Sequence, residues 1–421
     1  MDKHGNLSCI RGIYRALLKS GRTYAAFEKG QVLPLVEELA ERQEILDPMA
    51  GYGTLMSYCS GLNVSTFLIE NNPPAYLWEV LTHPGNAEKF FMLAERLKES
   101  KRHWPETNLK VSVSNDWFPD DSKKIIIQLF YLCRDIINEM QSAECNSEEI
   151  CLAFLLPFVG RFSSSVPGNI VTNVKRGGIC IYTGWQTDFI DYIDAVVVRL
   201  KLNSHPSTCK AFRHQIMYGD CRTIELPERR FAAMITSPPF PNSQDYSSMF
   251  APENALLAEL TNKKLIVGYP ILHPLIGSVQ VSSIKAKNEN SGYKITSSSA
   301  KNFLSDIENF KLKAKSKSAR YDIEVYYLPY FASYFSELEK AFVNISKALS
   351  KDFEGYIIVV NNTARNIIVP ISDAVVEIWR SLGFKAEMYS TREMSHLGSI
   401  NPRATGLRAR HMEYTIKVWR K

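Results

Sequence analysis

The 421-residue chain is 45% hydrophobic and 22% charged, with a formal net charge of +6 at pH 7. That length admits two or three domains, or one large domain with insertions, and the composition excludes a disordered or collagen-like chain in favour of an ordinary soluble globular one. The mild basicity fits a polyanionic partner without requiring one.

The first residues, Met1 to Gly12, hold no apolar signal core. No apolar run of about 18 residues occurs anywhere, so no membrane span is expected. The eight cysteines, at positions 9, 59, 133, 145, 151, 180, 209 and 221, form no CxxC pair and fit neither zinc-ligand nor disulfide spacing. Reduced, mostly buried thiols in a cytoplasmic protein are the expectation. A basic segment, Tyr14 to Arg22, leads into Tyr24-Ala25-Ala26-Phe27. From Val32 to Leu39 the apolar residues fall at helical spacing. Gln43 to Leu46 is a short strand candidate that runs into Asp47-Pro48-Met49-Ala50-Gly51-Tyr52-Gly53-Thr54. A helix from Leu55 to Ser60 and a strand from Ser65 to Ile69, closing on Glu70, complete the unit.

A strand, a glycine-containing turn, a helix and a second strand ending in an acid make a known physical arrangement. The glycines let backbone approach a nucleoside cofactor, and the carboxylate at the second strand end binds ribose hydroxyls. Glu70 lies 17 residues after Gly53, close to the roughly 20 that this geometry needs. The turn lacks the third glycine of a pyrophosphate-binding loop, which disfavours a dinucleotide.

Residues 75–210 read as a mainly helical insertion, with helices over His83–Ser100, Asp121–Met140 and Thr187–Leu200 and an apolar core segment at Cys151–Phe158. Arg161–Ser165 and Lys175–Gly178 are polar, and suit either phosphate contact or plain solvation. His214–Tyr218 is a strand candidate followed by Gly219-Asp220-Cys221-Arg222. Phe231–Ile235 is an apolar strand that ends abruptly in Thr236-Ser237-Pro238-Pro239-Phe240. Two prolines fix their own φ, remove two backbone donors and push the residue before each into an extended shape. The carbonyls of such a segment cannot all join a ladder, so some can accept from a ligand. A small hydroxyl, free carbonyls and an aromatic plate suit a flat molecule bearing an amino group; an ordinary strand exit fits these five residues equally well. Asn242 and Gln244 are residue types that read base edges, and Tyr246 can stack on a base; all three can equally stabilise their loop.

Residues 261–325 look irregular and basic, with Lys311, Lys313, Lys315, Lys317 and Arg320 in a cationic run that is either solvated or a phosphate-contacting arm. Beyond it, Leu338, Phe342, Ile345 and Leu349 mark a helix face. Gly355–Val360 reads as a buried strand, Ile371–Leu382 as a helix stopped by Gly383, and Lys385–Tyr389 and Glu413–Trp419 as two last strands. Arg392 to Arg410 is an arginine-rich stretch, read as a loop near the active site or a basic rim. HExxH, GxSxG and P-loop motifs are absent, and His214, His396 and His411 lack metal-ligand spacing.

In the order DPxxGxGT, acid, GDxR and SPPF, the chain resembles the amino-group DNA methyltransferases that use S-adenosyl-L-methionine. The resemblance is sharp over 20–75 and 211–260 and holds in element pattern alone over 325–421. It implies an α/β, Rossmann-like doubly wound methyltransferase sheet, mostly parallel with an antiparallel last strand, carrying a helical insertion and a second irregular one. The implied organisation is a cofactor half (1–74), the helical insertion (75–210), a segment with the catalytic loop (211–260), the basic insertion as a DNA-binding or target-recognition segment (261–325), and the second half of the sheet (326–421). It also implies that Asp47, Pro48, Gly51, Gly53 and Thr54 surround the methionine part of the cofactor, with Tyr24 and Phe27 near its end. Glu70 would bind the ribose and Asp220 the adenine amino group. Ser237, Pro238, Pro239 and Phe240 would be the catalytic loop, with no metal. Ser at the first loop position favours the N4 amine of cytosine over the N6 amine of adenine. The partners implied are DNA and a cognate restriction endonuclease or other defence-system component. An RNA base methyltransferase and a catalytically silent nucleic-acid-binding subunit remain as alternatives. No Pro-Cys pair is present, which argues against carbon-5 cytosine chemistry.

Overall fold

The computed structural model describes residues 29–51, 53–71, 80, 86–105, 110–111, 120–140, 147–159, 180–181, 185–201, 214–241, 276, 293–313, 323–364, 367–393 and 412–420. Seven strands, β1 (Glu44–Asp47), β2 (Ser65–Glu70), β3 (Gln215–Tyr218), β4 (Phe231–Thr236), β5 (Leu349–Val360), β6 (Lys385–Glu393) and β7 (Met412–Trp419), form a sheet in the order β6-β7-β5-β4-β1-β2-β3. The pairs β2–β3, β1–β4 and β4–β5 are parallel, whereas β7 is antiparallel to both its neighbours. The chain divides into two compact units, one of Met1–Val32, Gly51–Tyr218 and Tyr246–His273, the other of Leu33–Ala50, Gly219–Asp245 and Pro274–Lys421.

The first unit holds β2, β3 and the helices α2 (Thr54–Gly61), α3 (Asn86–Glu99), α4 (Asp120–Glu139), α5 (Ser147–Val159) and α6 (Trp185–Lys201); α1 (Lys29–Leu39) precedes β1. The helix expected at Asp121–Met140 is α4, and the apolar segment Cys151–Phe158 lies within α5. Every residue from Ile150 to Leu156, and Phe158, is buried, as expected of a helix that is apolar all round and sits at the centre of a bundle. Phe154 and Phe158 pack their rings against Phe189 and Tyr192 of α6, and Phe90 of α3 packs on Phe154. The Tyr192 hydroxyl donates to the Phe154 carbonyl. Cys59, Cys133, Cys151 and Cys221 are buried free thiols. No described helix is long and apolar enough to cross a membrane.

His214, just before β3, shares a 2.8 Å hydrogen bond with Thr66 of β2. Burial lowers its pKa from 6.5 to about 4. Because the unfolded histidine binds its proton more readily, stability is full above about pH 6.5 and is lost as pH falls towards the folded value. At 1.36 kcal/mol per pKa unit, the fall from pH 7 to pH 5 should cost about 2 kcal/mol through this residue. Urea unfolding at both pH values measures it: His214→Gln should remove that part of the acid loss, and equal losses in variant and wild type would refute the assignment.

The second unit contains β1, β4, β5, β6 and β7 with α7 (Ser298–Lys313), α8 (Leu328–Ala348) and α9 (Ile371–Ser381). Tyr330, Phe331, Tyr334, Phe335, Leu338, Phe342 and Ile345 form the buried face of α8, and Val375, Ile378 and Trp379 that of α9. Leu349 is not the last residue of the α8 face, as its spacing suggested; it begins β5. β4 can lie close to β5 because Gly355 has no side chain: a Cβ there would stand 2.7 Å from the Met234 carbonyl oxygen and 3.1 Å from the Met234 Cβ.

A second expectation is corrected. The span 261–325 is not irregular throughout, since α7 occupies 298–313. Ala300, Phe303 and Ile307 are buried, and Phe303 meets Phe331 and Phe335 of α8 edge-on. Ser297 caps the helix by accepting from the Ala300 N–H at 3.0 Å, and donates its own hydroxyl to Glu377 of α9 at 2.6 Å. Glu377 also takes the Ser299 N–H and hydroxyl. Burial opposes the charge on Glu377, but these donors outweigh it and hold its carboxyl below the ordinary glutamate range. A carboxylate at a helix N-terminus further complements the dipole. Lys311 and Lys313 are thus the last turn of a packed helix; Lys315, Lys317 and Arg320 lie outside the described residues.

Candidate active site

The expected site residues fall into two groups, one in each unit. In the second unit, β1 and β4 are parallel neighbours with Leu46 opposite Met234, so Asp47 and Thr236 end side by side. Both are fully buried, and the Thr236 hydroxyl donates to Asp47 Oδ1 at 2.8 Å. The same oxygen takes the Met49 N–H at 3.3 Å, which turns the chain after Asp47. The first acid of DPxxGxGT is therefore tied to the residue immediately before Ser237-Pro238-Pro239-Phe240.

The loop after β4 is pinned at its far end. The buried Tyr334 of α8 donates its hydroxyl to the Pro239 carbonyl at 3.0 Å, and Asn362, just past β5, donates its amide to the Pro241 carbonyl. Asn362 is itself fixed, since its carbonyl accepts the Val369 N–H at 2.7 Å. Between the Thr236–Asp47 bond and these anchors, neither the Ser237 hydroxyl nor the Pro238 carbonyl has a hydrogen-bond partner among the described residues. Ser237 and Phe240 are half-buried, whereas Pro238 and Pro241 are buried. Two acceptors on a rigid backbone, next to a ring, can bind an amine and stack the planar group that carries it.

Asp220 is buried and gripped by Arg222. The Arg222 Nε lies 2.9 Å and 3.0 Å from the two Asp220 oxygens, a terminal guanidinium nitrogen also donates to Asp220 Oδ2, and the Arg222 N–H reaches Oδ1 at 2.9 Å. The other guanidinium nitrogen donates to Glu337 of α8 at 2.6 Å, and Glu337 meets Lys340 at 2.8 Å. Burial opposes the Glu337 charge, yet Lys340 and Arg222 outweigh it and keep its carboxyl below the ordinary range. The two carboxylates in turn drive the Arg222 pKa up against the opposing effect of burial.

In the first unit, Gly51 and Gly53 take φ of +54° and +67°, left-handed values that a side chain disfavours. Among the described residues nothing stands within 4 Å of where a Gly51 side chain would begin. The Gly51 N–H donates to Glu70 Oε2 at 2.6 Å, and the Asn71 N–H to Oε1 at 3.0 Å. Glu70, at the end of β2, is thereby fixed against the glycine turn. Thr54 opens α2 directly after Gly53.

Tyr24, Phe27, Asn242, Gln244, Tyr246, Arg161–Ser165 and Lys175–Gly178 lie outside the described residues. Arg392 lies inside β6, paired with Glu413 of β7 at 2.8 Å, and the rest of the stretch to Arg410 is outside. Among the described residues no group of His, Cys, Asp or Glu is arranged to hold a metal ion. The sequence reading missed Tyr334, Asn362 and Glu337; an aromatic run ending at Tyr334 and the pair Asn361-Asn362 at a strand end were the visible signals. No protein-family model matches the chain, and no curated protein matches it.

Proposed function

We propose that the chain is a DNA methyltransferase that moves a methyl group from S-adenosyl-L-methionine to the exocyclic N4 amine of cytosine. The observation that carries this reading is the pinned loop after β4. Tyr334 and Asn362 occupy the Pro239 and Pro241 carbonyls, and among the described residues the Ser237 hydroxyl and Pro238 carbonyl have no partner; they are the two acceptors an amine needs. The sheet order supports it. Omitting the antiparallel β7, the order 3-2-1-4-5-6 is that of a doubly wound nucleotide-binding fold, which reverses between β1 and β4 and takes ligands beyond the carboxyl ends of strands there. Asp47 and the loop stand at those two strand ends.

The residues present fit the cofactor. Among the described residues nothing crowds the side-chain position of Gly51, and Glu70 is a buried carboxylate bonded to that turn. Glu70 would hold the ribose, and Gly51 and Gly53 the methionine part; the bound cofactor supplies an electrophilic methyl group. The target amine is paired inside a duplex, so the base leaves the stack and Phe240 stacks on it. The Pro238 carbonyl and Ser237 hydroxyl accept from the two amine hydrogens and turn the nitrogen lone pair outward. The nitrogen would gain a bond to the methyl carbon as that carbon's bond to the cofactor sulfur breaks, leaving S-adenosylhomocysteine, and would release one proton to solvent. Catalysis is then mostly positioning, and no covalent nucleophile is required.

Labelled-methyl transfer onto DNA, with RNA as the control, followed by nucleoside mass spectrometry, tests the reading. N4-methylcytosine is the expected product. N6-methyladenine would replace the target while keeping the chemistry, and no product on DNA would sink both.

A further inference from the structure

We propose that the phenolic hydroxyl of Tyr218 is a ligand-binding group that donates a hydrogen bond to the adenosine part of a nucleoside cofactor held at Glu70. The inference rests on the reading of Glu70 given above. Tyr218 is the last residue of β3 and stands in register with Glu70, the last residue of β2; in a parallel pair such residues project from the same face of the sheet. The Tyr218 oxygen is buried and has no hydrogen-bond partner among the described residues. Buried tyrosine hydroxyls normally find a partner, and one left without is destabilising. The same carbon framework without the hydroxyl, phenylalanine, would fill the position at no such cost.

The surroundings define what the missing partner is. Burial, and then the negative charge of Glu70, push the phenol's pKa up, so the hydroxyl keeps its proton and acts as a donor. It does not spend that proton on Glu70, whose oxygens take the Gly51 and Asn71 N–H groups. An acceptor beside a ribose-binding carboxylate is a ribose oxygen or an adenine ring nitrogen. Tyr218 also comes two residues before Asp220 in the chain, between the two acids that the cofactor reading assigns to the nucleoside.

Tyr218→Phe in the full-length protein is the test, with S-adenosylmethionine and S-adenosylhomocysteine as calorimetric probes and apo-protein melting alongside. Both probes should bind roughly fivefold to tenfold more weakly, by the same factor because they share the adenosine, while the apo variant melts no lower than wild type. Affinities within twofold of wild type would overturn the proposal. So would a clearly destabilised apo variant, because the hydroxyl would then have a partner within the folded protein. Failure of the wild type to bind either probe would instead overturn the cofactor reading and this inference with it.

Discussion

A Phe240→Ala variant should methylate DNA about a hundredfold more slowly than the wild type, while its affinity for S-adenosylmethionine stays within about twofold. Stacking on an aromatic plate is worth about 1–3 kcal/mol per base. The ring is half-buried and follows a backbone that cannot readjust, since the Pro239 carbonyl is held by Tyr334 and both prolines fix φ. On the proposed reading, removing it takes away the surface against which a base would be oriented and leaves the glycine turn and Glu70 untouched. Single-turnover transfer and calorimetry separate the two effects. Tyr334→Phe supplies a graded comparison: it releases one end of the loop without removing an acceptor or a ring, so turnover should fall by roughly fivefold, the worth of one neutral hydrogen bond, with cofactor affinity unchanged. Wild-type transfer by Phe240→Ala would eliminate the loop as the place where the amine is bound.

The strands that bear the motifs were legible in the sequence because each couples an apolar run to a chemically distinct end. Ile45-Leu46 runs into Asp47, Phe67-Leu68-Ile69 into Glu70, and Met234-Ile235 into a threonine, a serine and two prolines. The support of the loop was not legible. Tyr334 reaches Pro239 across 95 residues and Asn362 reaches Pro241 across 121, and no local periodicity encodes such contacts. α7 was missed for a different reason. Ala300, Phe303 and Ile307 have helical spacing, but they sit among serines, lysines and asparagine, whose composition suggests a loop; packing against α8 and α9 overrides that weak propensity. Asp220 is the intermediate case. Its place after β3 was readable, whereas the hold that Arg222 and Glu337 exert on it requires α8 to be in place.

That hold makes Arg222→Ala the most destabilising single substitution expected here, by about 3–5 kcal/mol at pH 7. The guanidinium is buried and grips two carboxylates that are also largely buried. Its loss leaves Asp220 with the Arg222 backbone N–H as its remaining partner of those described above, and Glu337 with Lys340. Burial, no longer offset by Arg222, then raises the folded-state pKa of Glu337 above its unfolded value. A carboxylate raised in this way destabilises the fold while ionised and is relieved as it takes a proton, so the deficit should narrow as pH falls from 7 towards 4.5. The wild type moves in the opposite sense, because its Glu337 is held below the ordinary range and loses its contribution as pH falls through the folded pKa. Urea unfolding at the two pH values measures both trends. A deficit independent of pH would mean that lost packing, not stranded charge, is the cause. Arg222→Met combined with Asp220→Asn and Glu337→Gln should recover much of the stability, because replacing a buried ion network by neutral groups of similar volume is often nearly neutral. The triple variant should still bind S-adenosylmethionine more weakly than the wild type, since Asp220 is the acid assigned to the adenine amino group; full affinity would show that the Asp220–Arg222–Glu337 network serves the fold alone.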